Sequence, residues 1–111
     1  MKGSLSQSDI TRYTNIISSI ASASVALTEG VTRESGLSKN SFGLSTLKEK
    51  NIHVYIVENR ATIDLFINVV FGYSVPTVIC ALQEKIKKEV ELATNFRVES
   101  INVNVSNVVF R

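Results

Sequence analysis

The stretch from Ala61 to Val90, ATIDLFINVVFGYSVPTVICALQEKIKKEV, constrains the fold more than any other part of the chain. From Thr62 to Phe71 it alternates, with Ile63, Leu65, Ile67 and Val69 against Asp64, Phe66, Asn68 and Val70. Strict period-two patterning is what a strand with one buried face requires. Gly72, Tyr73 and Ser74 then turn the chain. Pro76 follows in the first turn of a helix, where its missing amide costs nothing, with Ser74 as the expected N-cap. Val75, Ile79, Leu82, Ile86, Val90 and Ala93 recur at helical spacing and define an inward stripe. Outward, Glu84–Lys88, Lys85–Glu89 and Lys87–Glu91 are opposite charges four apart, each pair worth roughly a few tenths of a kcal/mol. Thr94 and Asn95 close this helix, and the rest of the chain has to pack on the strand–corner–helix unit.

Upstream, residues 1–8 are polar and read as a disordered N-terminus, with Ser8 or Asp9 as N-cap of a helix reaching about Leu27. Ile10, Tyr13, Ile17, Ile20, Ser24 and Leu27 form its stripe, widened by Ile16, Ala23 and Val25, and the small residues of SSIASASVA let it sit close to a sheet. Gly30 is placed to end it in a left-handed conformation. Residues 31–50 read as a variable loop, with a short helical piece at Leu44 to Lys48. Asn51 to Glu58 alternates, with Ile52, Val54 and Ile56 opposite His53, Tyr55 and Val57. Glu58 to Ala61 suits a hairpin turn, since Asn59 tolerates the left-handed region. Arg97 to Val109 is the last strand, with Ile101, Val103 and Val105 inward and Asn102, Asn104 and Ser106 outward.

The expected order is α-β-β-α-β. The helical crossover makes the last strand parallel to the one before it, and right-handed. The fold class is α+β: a two-layer α-β-β-α-β sandwich, two helices on one face of a three-stranded mixed sheet. Residues 1–111 form a single domain, long enough to bury roughly two-thirds of the unfolded surface.

Composition narrows the chemistry. A net charge of +2 is too small to predict nucleic-acid binding, which shows as a concentrated basic face. Cys80 and His53 are each the sole residue of their kind, so neither a disulfide nor a zinc site is expected, and no metal or cofactor is assigned. The N-terminus MKGSLSQSD lacks the apolar core of a signal peptide, and no run approaches the roughly 18–20 apolar residues of a membrane span. The expected compartment is the cytoplasm. No terminal helix rich in Lys and Trp is present, so any membrane association is expected to be indirect rather than by insertion.

Individual residues offer little catalysis. His53 has only Asp64 across the hairpin as an acidic neighbour, and a solvent-facing or packed histidine is the expected outcome. Cys80 lies one position off the inward stripe and reads as a small buried hydrophobe. Lys85, Lys87 and Lys88, with Arg97 and Arg111, define an alternative function as a nucleic-acid or anionic-surface binder. Glu84, Glu89 and Glu91 interleave with the lysines, which favours a solvated helix face. The α-β-β-α-β order invites comparison with the KH module, but no GxxG loop is present. The outward sheet face is the remaining candidate. Asp64, Phe66, Asn68, Asn102 and Asn104 form a polar floor with one exposed aromatic, Phe66, flanked by Val70. It is either a partner-contact surface or an ordinary wet sheet face.

Three separated motifs carry a resemblance: IASASVALTEGV in the first helix, ATIDLFINVVFGYSVPTV into the second, and SINVNVSNVVF at the end. In this order they resemble the alkaline shock protein family, also called the envelope stress response family of Gram-positive bacteria, over about Ile10 to Phe110. Asn95-Phe96 departs from the family, which usually has Gly after that helix, and the first helix is unusually serine-rich. The resemblance implies a non-enzymatic cytoplasmic protein of cell-envelope homeostasis or stress response. It also implies a protein partner, a membrane anchor protein among the candidates, and homo-oligomer formation. It supplies no catalytic residues; Gly72 and Pro76 match family positions only as formers of the corner.

Overall fold

A computed structural model describes residues 5–33 and 51–110. Its elements are α1 (Gln7–Leu27), β1 (Val31–Arg33), β2 (Ile52–Val57), β3 (Arg60–Val70), α2 (Val75–Thr94) and β4 (Arg97–Val109). The expected helical piece at Leu44 to Lys48 lies outside the described residues.

β3 is the hub. β2 pairs antiparallel with its first half, from Val57↔Arg60 to Ile52↔Leu65. β1 pairs antiparallel with its last residues, Val31↔Val69 to Arg33↔Ile67, so β1 and β2 lie end to end along one edge. β4 runs parallel along the whole other edge, from Arg60↔Arg97 to Val70↔Val109. The sheet therefore has four strands, not the expected three. The added strand comes from the segment read as loop. Three residues are too few to display a period, and β1 exists because Gly30 delivers it onto the tail of β3: Val70 donates its amide to the Gly30 carbonyl at 2.8 Å.

Alternation in β3 separates the faces. Ala61, Ile63, Leu65, Ile67 and Val69 are all essentially solvent-free and join one core with Ile17, Ala21 and Val25 of α1 and Val78, Leu82, Ile86 and Val90 of α2. Each fully buried aliphatic side chain contributes about 1.5–3 kcal/mol of transfer free energy. Ala21 and Ser24 allow α1 to approach closely, as small side chains do. The α1 stripe differs from the expected one: Ala21 is buried, while Ile16 and Ala23 are exposed and Leu27 is 72% exposed where the helix stops.

Other local expectations shift by a residue or two. Ser6, not Ser8 or Asp9, caps α1, its hydroxyl accepting from the Asp9 amide at 3.1 Å, so the helix starts at Gln7. In the hairpin the left-handed residue is Glu58 (φ 57°). Gly30 is left-handed (φ 89°), two residues beyond the Thr28 C-cap. Ser74 occupies the N-cap of α2 without a side-chain hydrogen bond. On the same helix Val78 is buried while Ala93 is exposed. Asn95 adopts the left-handed conformation (φ 68°) in place of glycine, a role Asn fills better than most residues. Phe96 then turns into the core and packs on Tyr13, ring centroids 4.8 Å apart, which joins the end of α2 to α1.

Candidate functional site

The even-numbered side chains of β3 point away from both helices, and β4 completes their surface. Between two register shifts, which leave Glu99 and Ser106 as extra residues, Asp64 pairs with Asn102 and Phe66 with Asn104. That register brings Asn102 Nδ2 to 2.7 Å from Asp64 Oδ1, and Asn104 Nδ2 to 3.1 Å from the Leu65 carbonyl. Both amides are thus oriented rather than loose. Phe66 stands among them with 38% of its surface exposed. His53 from β2 meets it edge-on, centroids 6.3 Å apart. Asn68 continues the row, half-buried, and its Oδ1 is shielded from solvent without a hydrogen-bond partner. Val70 is half-buried at the end of the row.

So Phe66, Asn68, Asn102 and Asn104, and Asp64 with them, are brought onto one face. The face combines hydrogen-bonded polar side chains with one partly exposed aromatic ring. Its neighbours along β2 add Tyr55, 54% exposed, and Val57, 67% exposed. Sequence reasoning missed a second exposed group at the sheet's end, where Phe71 and Phe110 stack at 4.6 Å. Each ends a strand-forming run, and that position was the available signal.

The other candidates are not assembled. Cys80 is exposed rather than buried, its Sγ 3.9 Å from Glu84 Oε2, because the buried stripe runs through Val78 and Leu82 instead. It lies on the helical side of the sheet and His53 on the opposite face, so the two share no site. Among the described residues no group of three His, Cys, Asp or Glu is placed to hold a metal. Lys87 is engaged by Glu91 at 3.2 Å, and Arg60 by Glu99 at 3.6 Å. Lys88 and Arg97 are exposed and Lys85 half-buried, while Arg111 lies outside the described residues. Acidic groups therefore break the basic surface. An open groove of ≈ 280 Å³ between α2 and β4 is lined by Glu84, Lys87 and Glu99 over a floor of Val98 and Ile101. No described helix is long and apolar enough to cross a membrane.

Residues 2–110 match the alkaline shock protein 23 family, described as having a cell envelope-related function. A Bacillus subtilis (strain 168) protein described as uncharacterized protein YqhY is 30% identical over 61 residues, covering 55% of this chain. The match spans 45% of that relative, less than half its length. No solved structure matches the chain significantly.

Proposed function

Because the chain belongs to the alkaline shock protein family, with its cell envelope-related function, we propose that it is a non-enzymatic scaffold or adaptor of envelope homeostasis or stress response. It works by protein–protein contact and by self-association. In this reading it is cytoplasmic and reaches the membrane through an anchoring partner rather than by inserting. Nucleic acid is not a partner.

The observation that carries the proposal is the sheet face that no described element covers, where Phe66 sits 38% exposed beside the oriented amides of Asn102 and Asn104. An aromatic fixed in a polar frame offers apolar contact area at little entropic cost, which is what interface anchors supply. The test is co-purification of tagged protein from detergent-solubilised cells, washed through increasing salt, beside Phe66→Ala. A membrane protein that survives the salt with wild type and is lost with Phe66→Ala supports the adaptor. Nucleic acid or lipid that leaves as salt rises, with no protein retained, overturns it in favour of a basic-surface binder.

A further inference from the structure

The two edges of the sheet are not equivalent. Among the described residues no strand pairs with the outer edge of β4, and its two halves are treated differently. In the first half side chains occupy the edge: Glu91 Oε2 accepts from the Val98 amide at 2.9 Å, and Gln83 Nε2 donates to the Ile101 carbonyl at 2.9 Å. Successive residues of a strand direct their backbone groups to alternate sides. Since the Ile101 backbone faces outward, those of Val103 and Val105 do too, and among the described residues no helix side chain bonds to them. A strand with an exposed row of amides and carbonyls is a template for another strand.

Natural edges are guarded by charge or proline. Here no charged residue and no proline lies between Glu99 and Arg111, and the segment is rich in Ile, Val and Phe. The one guard is the register shift at Ser106, just beyond Val105. An uncharged segment meets its own copy in antiparallel alignment without like-charge repulsion. The same end of the sheet also exposes Val108 at 48% and Phe110 at 75%. β2, by contrast, is short and runs into Glu58 and Arg60.

We propose that two copies of this chain pair through the second half of β4, Val103 and Val105 of one strand lying antiparallel to the same residues of the other. The sheets then become continuous, and the blocked first half limits the contact to a two-fold, closed dimer. This deepens the self-association reading by assigning it a surface separate from Phe66.

The experiment is sedimentation from micromolar to millimolar protein, joined to amide hydrogen exchange at both ends of that range. A monomer–dimer equilibrium is expected. In the dimer the Val103 and Val105 amides exchange roughly tenfold or more slowly, while Asn102 and Asn104, already facing β3, stay unchanged. Val105→Lys and Val105→Glu each weaken dimerisation by roughly tenfold, and their mixture restores it. A monomer at every concentration overturns the proposal, as does a dimer in which Val103 and Val105 exchange unchanged. Open-ended polymers overturn the closed two-fold form, because they require an interface besides the single β4–β4 contact. The exchange data need no variant, so misfolding at position 105 cannot mask the answer. Loss of edge pairing with capture at Phe66 intact sinks this inference alone; loss of capture with the dimer intact sinks the adaptor reading alone.

Discussion

The Glu91 carboxylate accepts a hydrogen bond from the Val98 amide at 2.9 Å, binding the last turns of α2 to the start of β4. Lys87 grips the same carboxylate at 3.2 Å. One side chain thus closes the crossover turn and fills an edge position on the sheet.

Glu91 is held below the usual glutamate pKa, first by the Val98 amide and then by its hydrogen bond to Lys87, against a partial desolvation that pushes the other way; the charges of Lys87 and Arg97 add to the lowering. A depressed folded-state pKa gives stability that is complete above the unfolded value, about 4.3, and lost as pH falls through the folded one. Glu91→Gln is therefore expected to be less stable than wild type at neutral pH, with the gap closing in acid. Urea midpoints measured from pH 7 downward check this. A gap that ignores pH would refute the assignment.

Gly30 combines φ 89° with the Tyr73 ring, whose nearest atoms would lie 2.7 Å from an added Cβ. Tyr73 is fixed there by its hydroxyl, which donates to Glu29 Oε2 at 3.0 Å. Gly30→Ala is expected to cost about 1–3 kcal/mol from backbone strain and ring displacement together. Tyr73→Phe keeps the ring and is expected to cost no more than about 1 kcal/mol. Denaturant unfolding of both variants separates the steric role from the polar one.

Asn95 is left-handed at φ 68° and closes α2 with its amide on the Glu91 carbonyl at 2.9 Å. Asn95→Ala is expected to destabilise by about 1 kcal/mol, and Asn95→Gly to be neutral or slightly stabilising. Thermal unfolding is sufficient to rank the three proteins.

Leu82 and Leu27 make a contrasting pair. Leu82 is fully buried, and Leu82→Ala is expected to cost about 2–5 kcal/mol. Leu27 is 72% exposed, so Leu27→Ala should fall within about 0.5 kcal/mol of wild type. A large effect at Leu27 would mean that the end of α1 is covered in solution.

How far the sequence carried these conclusions depends on the length of each pattern. β3 and β4 run long enough for alternation to show, so the inward Ile63, Leu65 and Ile67 and the outward Phe66 and Asn104 were legible. β1, only Val31–Arg33, has no period to read. Leu27 continues the α1 stripe in sequence, yet the helix ends there and leaves it exposed among the described residues. Cys80 neighbours half-buried Ile79, and a one-position error in helical phase decides between core and solvent. The bond from Asn102 to Asp64 depends on strand register. Register is set by the turns and the bulges at Glu99 and Ser106, which the alternation alone does not encode.

The most direct test of the adaptor account is photo-crosslinking in cells, with a photoreactive phenylalanine analogue at position 66 and, separately, at position 88 on the outer face of α2. The account predicts a discrete protein adduct in the envelope fraction from position 66 and none from position 88. Adducts from position 88 alone, or equal labelling from both, would contradict it.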